Sequence, residues 1–445
     1  MPVPTRRTLL TGSGAAVAAT LFARLPGAAQ EATPAATPVA SPVALPLASP
    51  VASIRDWEGE NWVGSWATAP TTDWPEIEGF PDTSVALNNQ TFRQIVRPSL
   101  AGKRMRVRLA NTYGDALVNI GAAQVAIRDA EADTFADTSW PITFAGNTSI
   151  SIPAGATVLS DPIPLDVQPL QELAVSLYFP DALTATTIHG NALQTNYLSA
   201  PGDHTMDTAF PVASTVESTA YLTGIDVLAT PQSRAIVAYG DSITDGFGAT
   251  SGAYGTWPDA LTNRLVVSGL PRAVLNEGIG GNRLLSDSLE GFGMAFGESA
   301  LRRFDRDVLG QAGVGYLITF MGINDIGLSS WDGSAVRTSA ELITALDQLI
   351  ERAHEHGIVA IGGTITPFEE AMYYSAEGEA TRQEVNAWIR DSGAFDHVVD
   401  FDAAVQDPAQ PGRILADYDS GDHLHINDAG YIAMAEAINL DWFAN

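Results

Sequence analysis

The 445-residue chain is 45% hydrophobic, which is material for more than one core. Its 52 acidic residues outnumber 23 basic ones, of which only Lys103 is a lysine, and the net charge of −29 argues against nucleic acid and anionic membrane surfaces as partners, since both are bound through cationic contacts to phosphate. The absence of cysteine excludes disulfides, thiolate metal sites and a thiol nucleophile.

At the N-terminus, Arg6-Arg7 precede a short run of apolar and small residues from Leu9 to Phe22, and Gly27-Ala28-Ala29 offers a cleavage site. Residues 1–29 therefore read as a twin-arginine-type signal peptide, with an ordinary Sec signal or an uncleaved anchor as the alternative. The run falls short of the roughly 20 apolar residues that a membrane span needs. The expected location is exported (extracellular, cell-wall or periplasmic), with no integral membrane span after signal cleavage. Prolines then recur at Pro34, Pro38, Pro42, Pro46 and Pro50. This density removes amide donors and favours extended backbone, so residues 30–54 are expected to form a semi-rigid spacer or a passive linker.

Residues 55–231 follow a period of two. Arg104-Met105-Arg106-Val107-Arg108-Leu109 alternates polar and apolar side chains as a half-buried strand does. Similar runs occur at Thr91–Val96, Val118–Ile127, Ser149–Ile152, Leu173–Phe179 and Ala220–Val227, separated by turn formers such as Asn111-Thr112-Tyr113-Gly114. The pattern predicts an antiparallel β-sandwich domain of jelly-roll type, without a helix of convincing length.

Residues 232–445 change to regular β-α alternation. Five short apolar runs, Ala235–Tyr239, Ala273–Asn276, Tyr316–Met321, Ile358–Ile361 and Val398–Phe401, are the expected strands. Helical patterns lie at Trp257–Val267, Ser299–Leu309, Ser339–His354, Arg382–Arg390 and Ala429–Trp442. Near-continuous apolar strands alternating with helices predict a parallel sheet covered on both faces, with its site at the carboxyl ends of the strands.

The segments after those strands carry the chemistry. Gly240-Asp241-Ser242-Ile243-Thr244-Asp245-Gly246 puts a serine at a strand-to-helix junction, where its hydroxyl and its backbone N–H can serve one substrate carbonyl. Asn276-Glu277-Gly278-Ile279-Gly280-Gly281-Asn282 is a loop able to offer an unencumbered N–H, and Gly322-Ile323-Asn324-Asp325 supplies a side-chain amide. Near the C-terminus Asp422 precedes His425 by three residues, a spacing that lets a carboxylate hold an imidazole in the tautomer a general base requires. Asp241, Asp245 and Asp325 read as turn residues bonded to local backbone. His189 and His204 read as ordinary loop or surface histidines, and His354 and His356, two apart on a helix, cannot face one ligand together.

Taken in order, the four blocks resemble those of the SGNH hydrolases, or GDSL esterases, over essentially Arg234 to Asn445. The resemblance implies a flavodoxin-like three-layer α/β/α sandwich with a parallel sheet, Ser242 as nucleophile, His425 as base and Asp422 as its orienting carboxylate. It assigns the oxyanion hole to the Ser242 N–H, the Gly281 N–H and the Asn324 amide; Gly281 is chosen over Gly280 because the family glycine directly precedes the polar position held here by Asn282. Asn282-Arg283-Leu284-Leu285 and Trp257-Pro258-Asp259 are similar to a secreted arylesterase/acylhydrolase subgroup associated with xylan-degrading enzymes. Thr256 and Ile426 depart from that subgroup, which often has arginine and proline there.

The implied activity is that of a secreted serine carboxylic-ester hydrolase, a carboxylesterase or acetylesterase that needs no metal or cofactor. Its substrate would be a small-molecule or polysaccharide ester, with short acyl groups on carbohydrate or aryl alcohols. Two alternatives stand beside it: a lipase or lysophospholipase-type acylhydrolase, and a non-catalytic carbohydrate-binding protein in which Trp62, Trp66, Trp74 and Trp140 stack on sugars.

Overall fold

Side-chain alternation builds the first half of the fold. In the computed structural model, which describes residues 61–76, 82–328 and 336–444, Met105, Val107 and Leu109 are buried on one face of their strand while Arg106 and Arg108 stand on the other. The expected signal peptide and proline-rich spacer lie outside the described residues. The principal strands are β1 (Trp62–Ala67), β2 (Gln90–Val96), β3 (Met105–Ala110), β4 (Ala122–Ile127), β5 (Trp140–Pro141), β6 (Thr157–Leu159), β7 (Leu173–Phe179), β8 (Asn196–Pro201), β9 (Val212–Val216) and β10 (Leu222–Leu228). They form two antiparallel sheets, β1-β10-β3-β6 and β9-β8-β2-β7-β4-β5. Phe92, Val107, Val125, Val175, Leu177 and Ile225 are fully buried in the core they supply. On the opposite face of the first sheet, Arg106 Nε and Arg108 Nη2 lie 2.8 and 3.6 Å from the Asp226 carboxylate.

Two expected strands are broken by local backbone geometry. Val118–Ile127 divides at Gly121 into Val118–Ile120, which pairs with Ile150–Ile152, and β4, which pairs with β7. The run Ala220–Val227 is interrupted at Tyr221, whose φ of 59° lies in the left-handed region that no strand can use.

The second half is a five-stranded parallel sheet of β11 (Arg234–Gly240), β12 (Arg272–Gly278), β13 (Val314–Phe320), β14 (Val359–Gly363) and β15 (His397–Val399), in the order β12-β11-β13-β14-β15. From β11 the chain winds first to one side and then to the other, so the order reverses at β11 and opens a crevice at the carboxyl ends of β11 and β13. The helices are α1 (Ser242–Asp245), α2 (Trp257–Ser268), α3 (Ala300–Phe304), α4 (Ile323–Gly327), α5 (Ser339–Glu355), α6 (Ala376–Asp391), α7 (Phe401–Val405) and α8 (Asp428–Glu436). Their ends are set by side-chain caps: Thr338 and Glu341 form a reciprocal capping box on α5. Ser375 caps α6 and starts it six residues ahead of the expected Arg382. The expected helix Ser299–Leu309 changes from α to π winding at Asp305, and the expected Ala429–Trp442 ends as α-helix at Glu436 and resumes as a 3₁₀ turn, Leu440–Phe443.

Successive residues of β11 enter different cores, as a strand covered on both faces requires. Ile236 and Ala238 pack with Trp257, Leu261, Tyr431 and Met434, whereas Ala235, Val237 and Tyr239 belong to a cluster continuous with the antiparallel core. The two halves thus share apolar packing along the β12 edge. Ser99 joins them there: its hydroxyl donates to the Ser65 carbonyl (2.6 Å) and accepts the Val274 N–H (3.0 Å). Ser99→Ala leaves the buried Val274 N–H without its hydroxyl partner, while the Ser65 carbonyl keeps the Ser99 backbone N–H (2.7 Å), a loss of about 1–3 kcal/mol. Urea denaturation should show a lower midpoint with an unchanged slope; an unaltered midpoint would show that the contact does not hold the halves together.

Candidate active site

Each strand of the crevice delivers one part of the site. Asp241 follows β11 in extended backbone and caps α1 by accepting the Ile243 N–H (3.1 Å), which places Ser242 at the first helical position. The β12 loop lies directly against α1, because Gly278 has no side chain; a Cβ there would stand 2.2 Å from the Asp245 nitrogen. Within the loop, Gly278, Gly280 and Asn282 donate their N–H groups to Asn276 Oδ1 (3.0 Å), Asp245 Oδ2 (3.1 Å) and the Ile279 carbonyl (3.1 Å), which fixes Gly281 between anchored neighbours. Gly281 itself has φ of 73°, and a Cβ would meet the Phe296 ring at 2.7 Å, so both conformation and space demand glycine. After β13, Asn324 donates from Nδ2 to the Asn282 carbonyl (3.0 Å), while Tyr373 donates its hydroxyl to Asn324 Oδ1 (3.4 Å). Those bonds orient the amide and leave its second Nδ2 hydrogen.

The segment before α8 closes the site. His425 Nε2 lies 2.9 Å from Ser242 Oγ, and His425 Nδ1 lies 2.6 Å from Asp422 Oδ2. Asp422 Oδ1 accepts the N–H groups of Leu424 (3.0 Å) and His425 (2.8 Å) and the Ser420 hydroxyl (3.1 Å). Burial alone would raise the Asp422 carboxyl, but the His425 imidazole and these donors hold it well below the usual carboxylate range. Ser242 and His425 are buried, and the Phe247 ring packs 4.5 Å from the imidazole. The structure therefore brings Ser242, Asp422 and His425 into one hydrogen-bonded chain, with Gly281 and Asn324 on the loops beside the serine. His423, two residues away, has φ of 63° and pairs with Asp419 instead (2.6 Å). Among the described residues no group of three or more His, Cys, Asp or Glu side chains is placed to hold a metal ion.

The flanking carboxyls behave differently from Asp422. Asp325 accepts the Leu284 (2.7 Å) and Leu285 (3.1 Å) N–H groups, yet burial pushes it up to about 6. Burial likewise pushes Asp241 up to about 7. Asp241 fulfils the expected role of binding local backbone, whereas Asp325 and Asp245 depart from it, accepting N–H groups of the β12 loop 41, 40 and 35 positions away.

Three residues in the site's surroundings escape sequence reasoning. Arg303, fully buried, donates to the Gly240 and Glu277 carbonyls (2.9 and 2.8 Å), to Asn282 Oδ1 (3.0 Å) and to Asp307 (3.0 Å). Its signal was an arginine on the buried stripe Ala300, Arg303, Phe304. Tyr373 lies in a loop that carries no period. His189 differs from its expected surface role: it is buried, with Nε2 3.1 Å from Asp245 Oδ1 and Nδ1 2.9 Å from the Ala69 carbonyl. Behind it lies a cavity of about 110 Å³ between the two halves, lined in part by Trp66, Arg97, His189, Asp245 and Tyr254. Of the other tryptophans, Trp74 meets Phe296 edge-on at 5.9 Å, Trp62 lies under Arg106, and Trp140 is exposed on an edge strand.

The elevated carboxyls make a pH prediction. An unfolded chain releases these protons near pH 4, whereas the native state keeps them to about 6 (Asp325) and 7 (Asp241), so the native state binds more protons in that window and loses stability as pH rises. The slope is about 1.4 kcal/mol per pH unit for each group. Asp241→Asn and Asp325→Asn should each flatten the decline seen in denaturation curves across that window, and an unaltered slope in both would refute the assignment.

Residues 238–433 match the model of the GDSL-like lipase/acylhydrolase family. Similar solved structures include an acetyl xylan esterase (20% identity, covering 46% of this chain and 96% of that one, TM-score 0.35). They also include a lipase/acylhydrolase from Enterococcus faecalis (21%, 46% and 92%, 0.34) and a carbohydrate acetylesterase from Sinorhizobium meliloti (16%, 46% and 95%, 0.36). No curated protein sequence matches. Within the parallel-sheet half, residues 238–433 are therefore what this chain shares with the GDSL-like lipase/acylhydrolase family, the SGNH hydrolases.

Proposed function

We propose that the protein is an exported serine carboxylic-ester hydrolase that removes short acyl groups from carbohydrate or aryl alcohols, with residues 55–231 as a β-sandwich domain and 232–445 as the catalytic domain. The observation that carries this reading is the continuous chain Ser242 Oγ to His425 Nε2 (2.9 Å) and His425 Nδ1 to Asp422 (2.6 Å). With Asp422 held ionised, the hydrogen of the neutral imidazole resides on Nδ1, which leaves the Nε2 lone pair facing the serine hydroxyl. His425 then takes the Ser242 proton as Oγ attacks the ester carbonyl.

The oxygen that gains charge in that step needs donors fixed in advance. The Ser242 and Gly281 N–H groups and the free Asn324 amide hydrogen are the three assigned here. Collapse of the tetrahedral intermediate expels the alcohol, protonated by His425, and leaves the acyl group on Ser242. Water, deprotonated by the same imidazole, releases the acid. The preference for short acyl groups on sugars or aryl alcohols rests on the resemblance to the xylan-associated subgroup.

Hydrolysis of p-nitrophenyl acetate and release of acetate from acetylated xylan should be readily measurable for the wild type and lost in Ser242→Ala. Equal turnover by both proteins would refute the nucleophile, and faster turnover of a long-chain than of an acetyl ester would favour a lipase-type function. Asn324→Ala should lower kcat by about 100-fold to 1,000-fold, the scale for one oxyanion donor. A change confined to KM would instead assign Asn324 to substrate binding.

A further inference from the structure

One side chain, Asp245, joins the Ser242 turn to the Gly281 loop. Its Oδ2 accepts the Gly280 N–H (3.1 Å), one residue before Gly281. Its Oδ1 accepts from His189 Nε2 and Asn191 Nδ2, each at 3.1 Å, and both donors come from the antiparallel half. His189 Nδ1 faces the Ala69 carbonyl at 2.9 Å. A carbonyl oxygen and a carboxylate oxygen can only accept, so each ring nitrogen must carry a hydrogen, and an imidazole with two N–H groups is a cation. The side chains of His189 and Asp245 are only 8% and 5% exposed, so the pair is held largely out of bulk water. Burial alone would lower the His189 imidazole, but the Asp245 carboxylate and the surrounding acceptors outweigh it and raise the group.

A second contact from the same half converges on the same loop. Thr72 exchanges hydrogen bonds with Met294, accepting its N–H on Oγ1 (3.0 Å) and donating its own N–H to the Met294 carbonyl (3.3 Å). Trp74 meets Phe296 edge-on, and Phe296 is the ring packed against Gly281.

We propose that His189 is a positioning residue of the esterase site: its imidazolium holds Asp245, and Asp245 holds Gly280, which sets the Gly281 N–H at a fixed distance from Ser242. The β-sandwich is in this way a working part of the catalytic machinery. His189 touches no reacting atom and acts only through Asp245. The inference rests on the esterase reading of Ser242 and Gly281.

The test uses the full chain with His189→Asn and His189→Gln. The Gln amide nitrogen reaches the place of Nε2 and still donates to Asp245, whereas the Asn amide nitrogen reaches only the place of Nδ1. His189→Asn should lower kcat by about 100-fold, the scale for a displacement on the order of 1 Å near the reacting atoms, with KM changed by less than about threefold. His189→Gln should recover most of the lost kcat. Hydrogen exchange of the peptide spanning residues 277–283 should accelerate in His189→Asn and stay near the wild-type rate in His189→Gln. This readout does not use ester turnover, so it decides the inference even if Ser242→Ala proves as active as the wild type. Unchanged exchange in His189→Asn, or equal losses in both variants, would overturn it. Should neither variant fold, ¹⁵N resonances of the wild-type histidines decide: a buried imidazolium with two slowly exchanging N–H groups supports the inference, and His189 with one bare nitrogen at neutral pH sinks it.

Discussion

A single buried guanidinium holds the site together. The carbonyls of Gly240, which also accepts the Ile279 N–H (3.2 Å), and Glu277 sit where the parallel ladder runs out, and a buried carbonyl short of donors is costly. Arg303 supplies both of them, and also Asn282, from one planar fork with five donors. Its charge is balanced by Asp307, which Arg306 also pairs, and its face lies over the Tyr239 ring at 4.1 Å. The ends of β11 and β12 therefore cannot separate without exposing a buried cation. The turn bearing Ser242 and the loop bearing Gly281 inherit that rigidity.

Around this fixed frame, four carboxyls of one chemical type are driven apart by their neighbours. Asp422 has an imidazole and three donors at hydrogen-bonding distance and stays ionised despite burial. Asp241 and Asp325 have backbone N–H groups but no cation at bonding distance, and desolvation wins. Glu277, against Gln311 and near Asp307, is pushed well above its ordinary range by burial first and by that carboxylate second. The result places negative charge behind His425, while Asp241 and Asp325 keep their protons to about 7 and about 6, well above an exposed carboxyl.

Much of this was legible in the chain because parallel strands buried on both faces are written as unbroken apolar runs. The five expected strands lie within one or two residues of β11 to β15. Ser242 and His425 are separated by 183 positions, yet both could be found because each follows a recognisable boundary. The antiparallel half was harder to read. In β1, Trp-Val-Gly-Ser-Trp-Ala does not alternate, since the strand lies between its own sheet and the β12 edge and every residue is at least partly covered. In β9, a nearly fully exposed edge strand, Val-Ala-Ser-Thr-Val carries no inward face. His189 was misread for a related reason. A histidine in a two-residue strand has no period, and its meaning arises only from Asp245, 56 positions away.

A chain without cysteine must hold two halves in register by packing and buried polarity alone. Ser99 knits the backbone across the β12 edge, and the shared apolar cluster supplies the area. Neither contact is directional enough to fix loops at the far ends of the strands. The His189–Asp245 pair and the Thr72–Met294 bonds are directional, and both fall on the two loops that must stay aligned. Apolar burial thus brings the sandwich to the sheet, and a few short polar contacts aim it. The placement of those contacts beside Gly280 and Phe296, and not elsewhere on the shared surface, is the physical reason to treat the sandwich as part of the site.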